Sequence, residues 1–99
     1  MPPLDKDQLL EFLHQHKEEY HQRFGVTSLG LAGSYARGEA TDVSDIDIVV
    51  KLQSDNTFRS FFGLLHSLQD AFDVPVDLVT ESSLKPLIKE HVMKDIHYV

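Results

Sequence analysis

The spacing of apolar residues predicts the first two elements of the chain. A helix is expected over Lys6–Phe24, because one of its faces carries residues at helical spacing, namely Leu9, Leu13, His16, Tyr20 and Phe24. Asp5 and Gln8 have the spacing of a capping box at the start of this helix, and Gly25 supplies a stop at its end. The short apolar run Val26–Ala32 follows and predicts a strand.

The rest of the chain shows both strand and helix periodicity. Residues 35–44 are polar and turn-rich, with room for one helical turn, and residues 45–52 alternate as a strand does. Residues 75–79 predict a shorter strand, and the last helix is expected over residues 84–95. Between the two strands, a helical face is marked by Phe58, Phe61, Phe62, Leu65, Leu68 and Phe72. The order α-β-β-α-β-α predicts the α/β class, with a three-stranded sheet flanked by three to four helices.

Length and composition limit the broad class of protein. The chain has 99 residues, 41% of them hydrophobic, so residues 1–99 are expected to form one globular domain. No apolar run approaches the roughly 20 residues that a membrane helix needs, and no membrane association is expected. The chain has no cysteine, which excludes disulfides, thiolate metal sites and cysteine nucleophiles. The cytoplasm is therefore the expected compartment.

The charge of the chain argues against nucleic acid as a direct partner. Lys and Arg number 9 against 16 acidic side chains, and the formal net charge is −7 at pH 7. Binding to nucleic acid normally requires a basic face, and the sequence contains no cluster of Lys and Arg. A basic partner protein, or acidic groups neutralised by a bound metal, fits this charge better.

Three aspartates in predicted strands carry the strongest chemical signal. Asp45 and Asp47 are two residues apart in one strand, so the period of two places both carboxylates on the same face of the sheet. Asp77 stands in the next strand between two apolar residues. Neighbouring carboxylates repel unless a cation lies between them, and Mg²⁺ prefers such oxygen ligands. If the two strands are neighbours, the three carboxylates can hold two cations, as phosphoryl and nucleotidyl transfer require.

Ordinary structural roles are the alternative for these aspartates. Asp45 would cap a turn with Ser44, Asp47 would face solvent on an edge strand, and Asp77 would be an edge charge that prevents aggregation. A single aspartate in a strand favours that interpretation. Three of them beside a glycine-rich turn favour a functional site.

That turn lies between the first two predicted strands, from Gly33 to Gly38. Glycine after a strand allows the backbone to approach a ligand closely, and Ser34 adds a hydroxyl donor. The spacing of the two glycines is that of a Walker A loop. However, Glu39 and Ala40 follow where that loop needs Lys and Ser or Thr, so a P-loop NTPase is excluded.

The turn and the first two aspartates together form a recognisable motif. Gly33 and Ser34, ten further residues, and then Asp45 and Asp47 resemble the signature of the nucleotidyltransferase superfamily typified by DNA polymerase β. A longer match is similar to the minimal nucleotidyltransferases of bacteria and archaea, the MntA-type antitoxins, and consists of Gly33-Ser34-x-Ala36-Arg37-Gly38-Glu39-Ala40 and Ser44-Asp45-Ile46-Asp47. The resemblance covers nearly the whole chain. It implies a single minimal nucleotidyltransferase domain over residues 1–99, with a polymerase-β-like core on a short mixed sheet.

The resemblance also implies roles for the site residues. Gly33 and Ser34 would bind the nucleotide triphosphate, and Asp45 and Asp47 would bind two Mg²⁺ ions. Asp77 would complete the metal site and help to deprotonate the attacking hydroxyl.

Arg37 has two interpretations. It contacts a phosphate of the nucleotide, or it pairs with a nearby acid such as Glu39 or Asp42 and shapes the turn. We favour the second.

The activity implied by the resemblance is Mg²⁺-dependent transfer of AMP from ATP to a hydroxyl group. A chain this short leaves no residues for a domain that would hold a small acceptor, which favours a protein acceptor. The resemblance implies a partner HEPN-family RNase toxin that is modified on a tyrosine and so silenced, with this chain as its antitoxin. Two alternatives stay open: an antitoxin that inhibits its partner by binding alone, and a nucleotidyltransferase that acts on a small molecule.

Overall fold

Helices and strands alternate along the computed structural model, which describes residues 5–41, 43–72 and 74–99. The elements within these residues are α1 (Lys6–Phe24), β1 (Val26–Ala32), α2 (Gly33–Arg37), β2 (Ile46–Leu52), α3 (Thr57–Ala71), β3 (Val76–Thr80), a 3₁₀ turn (Glu81–Ser83), α4 (Pro86–Asp95) and β4 (His97–Tyr98). The predicted α/β class is confirmed, and α1 and β1 have the predicted bounds. None of the described helices combines the length and the hydropathy needed to span a bilayer.

The predicted capping box is present at the start of α1. The backbone N–H of Gln8 donates to Asp5 Oδ1 at 2.9 Å, and the backbone N–H of Asp5 donates to Gln8 Oε1 at 3.0 Å. Gly25 ends the helix in the left-handed region, with φ at 75°. Both ends of α1 are therefore fixed by residues at the ends themselves, which explains why the sequence predicts its bounds well.

The sheet has the strand order β3-β2-β1-β4. It is mixed, because β2 is parallel to β3 whereas β1 is antiparallel to both β2 and β4. The described sheet thus has four strands, one more than predicted. β4 contains only His97–Tyr98, which is too short to show an alternating pattern, and it is defined by its pairing with Gly30 and Leu31 of β1.

The two faces of the sheet have different surroundings. On one face α1 and α3 enclose the apolar core, whose buried members include Leu9, Leu13, Leu29, Leu31, Ile46, Ile48, Val50, Leu64 and Leu68. The other face lies beside α4, whose Ile88 and Val92 share a cavity with Val49 and Val79 of the sheet. Because side chains alternate along a strand, Asp47 points away from the core that its two isoleucine neighbours enter.

The aromatic stripe of α3 is only partly buried. Phe72 is buried and Phe61 packs at the edge of the core, as expected. Phe58 and Phe62 are 75% and 48% exposed, so the helical face that the pattern marks is not buried along its whole length. They lie one turn apart, to one side of the helix face centred on Leu64, and their rings pack on each other with centroids 4.7 Å apart.

Candidate active site

Asp47 and Asp77 lie opposite each other on neighbouring strands. Each is the second residue of its strand, and the two are register partners in the parallel β2–β3 pair. The prediction that these two strands are neighbours is confirmed, and the pleat of the sheet fixes the closeness of the two carboxyl groups. Asp47 and Asp77 are called the acid pair below.

Asp45 lies just before β2 rather than inside it. The strand begins at Ile46, one residue later than predicted, and the Asp45 side chain is exposed. Its negative charge nevertheless acts on Asp47, whose pKa it helps to raise. Asp45 therefore belongs to the same acidic cluster by its charge.

Gly33 lies directly against Asp47. It connects β1 to α2 with φ at 69°, in the left-handed region that favours glycine. A Cβ added here would overlap Oδ2 of Asp47 and come within 2.9 Å of its Cγ. Glycine is thus required both by the backbone conformation and by the contact with the acid pair.

Most of the predicted turn is a short helix, α2, which begins at Gly33. Ser34 is its second residue and is half-buried. The backbone N–H groups of Gly38 and Glu39 donate to the Ser34 carbonyl and close the helix. Since Ala32, just before α2, is the register partner of Asp47, the Gly33–Ser34 segment is held at the same end of the sheet as the acid pair.

Arg37 pairs with two acids. Its Nε donates to Glu39 Oε2 at 3.0 Å, and its Nη1 lies 3.5 Å from Asp95 Oδ2 of α4. The predicted pairing with Glu39 is confirmed, the Asp95 contact was not predicted, and Asp42 lies outside the described residues. The charge of Arg37 also opposes the rise in the pKa of Asp47, so the guanidinium lies within electrostatic range of the acid pair.

A cavity of about 290 Å³ opens on the acid pair. Its polar lining comes from Gly33, Arg37, Asp47, Asp77 and Asp95. Its apolar lining includes Val49 and Val79 of the sheet and, further along the chain, Leu84, Ile88 and Val92. The last three were not predicted as site residues. Ile88 and Val92 are four residues apart on one face of α4, and Leu84 lies just before this helix. The sequence does not show that these residues meet the acid pair.

The environment of Asp47 raises its pKa from the ordinary value of 3.8 to about 6. Burial is the largest cause, because removal from water disfavours the charged carboxylate. The negative charges of Asp77 and then Asp45 add to the rise, and hydrogen bonding of Asp47 with Asp77 contributes as well. Near neutral pH Asp47 is therefore mostly ionised, although its burial and the neighbouring negative charges disfavour the ionised form.

The acid pair has the chemistry of a Mg²⁺ ligand set. Its oxygen donors are of the kind that Mg²⁺ prefers, they are carried by neighbouring strands, and a cation would relieve their mutual repulsion. Across residues 5–41, 43–72 and 74–99, however, no three acidic, histidine or cysteine side chains are gathered closely enough to hold a metal ion. A third ligand would come from a side chain that reorients, such as the exposed Asp45, or from a bound nucleotide.

The raised pKa of Asp47 predicts how stability depends on pH. Between about pH 4 and 6 the folded chain binds the Asp47 proton more tightly than the unfolded chain does. The Asp47 contribution to the free energy of unfolding should therefore fall as the pH rises through this window and level off above it. Denaturant titrations of the wild type and of Asp47→Asn at several pH values, without Mg²⁺, measure this. A difference between the two curves that does not change with pH would contradict the prediction.

This combination of a mixed sheet, a strand-borne acid pair and an abutting glycine turn is the arrangement expected of a nucleotidyltransferase. The family model for the nucleotidyltransferase domain matches residues 13–99, and the chain belongs to this family. It is 38% identical over 99 residues, the whole of both chains, to the protein adenylyltransferase MntA of Thermococcus cleftensis.

Solved structures show the same fold. A structure assigned as a minimal nucleotidyltransferase superposes with a TM-score of 0.73 at 31% identity, over 96% of both chains. A chain in the structure of a mutant MntA–HepT toxin–antitoxin complex is also similar, with a TM-score of 0.64 at 25% identity, over 97% of this chain and 72% of that one. The expected polymerase-β-like architecture is thereby confirmed.

Proposed function

We propose that this chain transfers AMP from ATP to a tyrosine hydroxyl of a HEPN-family RNase toxin and thereby acts as its antitoxin in the cytoplasm. The observation that carries the proposal is the acid pair beside Gly33, in a chain that matches the protein adenylyltransferase MntA from end to end. The similarity to a toxin–antitoxin structure supports a toxin as the acceptor.

The nucleotide would bind in the cavity that opens on the acid pair. Gly33 carries no side chain where the cavity meets Asp47, which leaves room for the triphosphate beside Ser34. Arg37 supplies positive charge to the cavity, whose other charged lining residues are Asp47, Asp77 and Asp95. Asp45, Asp47 and Asp77 would hold two Mg²⁺ ions, which when bound neutralise the triphosphate and stabilise the charge that develops during in-line displacement.

The two members of the acid pair suit different tasks. Asp47 is half-buried, and its position between two core residues restricts its movement, which supports a role as a metal ligand. Asp77 is exposed, so an incoming hydroxyl can reach it. Asp77 would accept the hydroxyl proton while the tyrosine oxygen attacks the α-phosphorus. The bond between the α-phosphorus and the bridging oxygen breaks, pyrophosphate leaves, and AMP stays on the tyrosine.

Labelled ATP tests this proposal directly. The purified partner toxin is incubated with this chain, Mg²⁺ and ATP labelled at either the α- or the γ-phosphate. Label should pass to the toxin from the α-phosphate only, the intact mass of the toxin should rise by one or more AMP units, and peptide mapping should place them on tyrosine. Label from the γ-phosphate, or an unlabelled toxin, would contradict the proposal.

The same reaction distinguishes inhibition by AMP transfer from inhibition by binding alone. If the toxin loses its RNase activity only when ATP and Mg²⁺ are present, and remains inactive after this chain is removed, the modification is the cause. Full inhibition without ATP, with the toxin mass unchanged, would favour the binding antitoxin instead.

A further inference from the structure

The face of β2 and β3 that carries the acid pair has an ion pair at its other end. Asp47, Val49 and Lys51 alternate along this face of β2, and Val49 is the register partner of Val79 in β3. Glu81 is two residues beyond Val79, at the next position on this face, and its Oε2 lies 3.6 Å from Lys51 Nζ. Four residues of strand, about 13 Å, separate this ion pair from the acid pair.

Glu81 is the one charged residue that is buried in the described part of the chain. Its side chain is only 11% exposed, and Lys89 Nζ of α4 lies 3.4 Å from its second oxygen, Oε1. A buried carboxylate is unfavourable unless it is paired, and Glu81 is paired at both oxygens. The 3₁₀ turn that begins at Glu81 is closed by a hydrogen bond from the Leu84 N–H to the Glu81 carbonyl, which fixes the start of the side chain.

Lys89 belongs to the helix that walls the cavity. α4 contains no buried residue, and its Leu87 and Ile88 are largely exposed, so apolar packing alone holds it weakly over the sheet. Among the residues that the structure describes, its ion-pair contacts are Lys89 with Glu81 and Asp95 with Arg37. The Glu81 contact is better shielded from water and therefore the stronger of the two.

We propose that Glu81 is a positioning residue that sets the distance between α4 and the β2–β3 face, and with it the width of the cavity on the acid pair. It reaches the sheet through Lys51 and the helix through Lys89, and it touches none of the reacting groups. When the link to Lys89 is lost, α4 moves outward, Ile88 and Val92 retreat from the cavity, and the nucleotide is held less well. The proposal rests on the proposed function for its kinetic readout.

The test compares the two links of Glu81. Glu81→Gln and Lys89→Met should each raise the KM for ATP about tenfold and change kcat much less, because they loosen the nucleotide cavity and leave the acid pair intact. Combining them should raise KM no further, since both variants lose the same Glu81–Lys89 contact. Lys51→Met should lower the unfolding temperature with little change in KM, because the link to α4 survives. Glu90→Gln, an exposed change on the same helix, is the control.

Hydrogen exchange supplies a readout that does not depend on activity. The α4 amides should exchange about tenfold faster in Glu81→Gln and Lys89→Met than in the wild type or Lys51→Met. Wild-type KM and exchange in both variants, with AMP transfer intact, would overturn the role of Glu81. The role of Glu81 would also be overturned if Lys51→Met and Lys89→Met each raised the KM for ATP in proportion to the fall in unfolding temperature. In that case the loss of stability, and not the link to α4, would set KM. Absence of AMP transfer by the wild type would instead overturn the proposed function, and the exchange result would still test Glu81.

Discussion

Replacing Asp47 with asparagine should slow AMP transfer by roughly 10³-fold, the scale of losing one electrostatic group from a catalytic site. Asparagine keeps the shape of the side chain and removes the charge that would hold Mg²⁺. The same change should raise the unfolding temperature near pH 7, because the half-buried carboxylate is charged there against burial and against Asp77 and Asp45. Single-turnover transfer rates and thermal unfolding, measured on one preparation, give both quantities.

The opposite signs of the two effects make this variant informative. A residue that only supports the fold would lose activity and stability together. Asp70→Asn removes the same charge from a side chain on α3 that is 80% exposed, and it should change neither quantity appreciably. Wild-type transfer by Asp47→Asn would exclude Asp47 from the chemistry, and a lower unfolding temperature would contradict the electrostatic account of its pKa.

Gly33→Ala is expected to reduce AMP transfer by roughly 10²-fold, because displacing a reacting group by a fraction of an ångström to an ångström has effects of this size. The added methyl would occupy the position of the Asp47 carboxylate, and one of the two must move. The left-handed backbone at Gly33 adds about 1–2 kcal/mol of strain for any residue with a Cβ. The transfer rate and the free energy of unfolding, from denaturant titration, are the measurements.

Gly38 offers a matched control at the other end of α2. Its φ of 71° is close to the 69° of Gly33, but a Cβ there would meet nothing within 4 Å. Gly38→Ala should therefore lose a similar amount of stability to backbone strain while transferring AMP at nearly the wild-type rate. Equal losses of activity in the two variants would show that backbone strain, and not overlap with Asp47, limits the Gly33 variant.

The sequence predicts the site well where local pattern and chemistry agree. Asp47 and Asp77 each stand between apolar residues in a strand, where aspartate is rare. Such a residue indicates a functional role, and here each aspartate lies opposite the other on the neighbouring strand. Gly33 is recognisable because it follows a strand and precedes Ser34 in a spaced motif. That β2 and β3 are neighbours, by contrast, is inferred from the chemistry of the carboxylates and not from any strand pattern, and their parallel direction is known only from the structure.

Long-range contacts account for what the sequence did not predict. β4 is a strand only because two residues pair with β1. Phe58 and Phe62 have the spacing of core residues, but they are largely exposed because α3 turns Leu64 and Leu68 into the core instead. Glu81 and Asp95 gain their partners Lys89 and Arg37 only when α4 folds back over the acid-bearing face. No periodicity along the chain carries that information.

The acid pair is carried by two central strands, whereas the apolar wall facing it comes from a helix near the carboxyl end with no buried residue of its own. Under the proposed function, the carboxylates that act on the triphosphate and the apolar residues that contact the nucleotide lie on separate stretches of the chain. Substitutions within residues 84–95 would therefore alter how tightly the nucleotide is held without displacing the carboxylates.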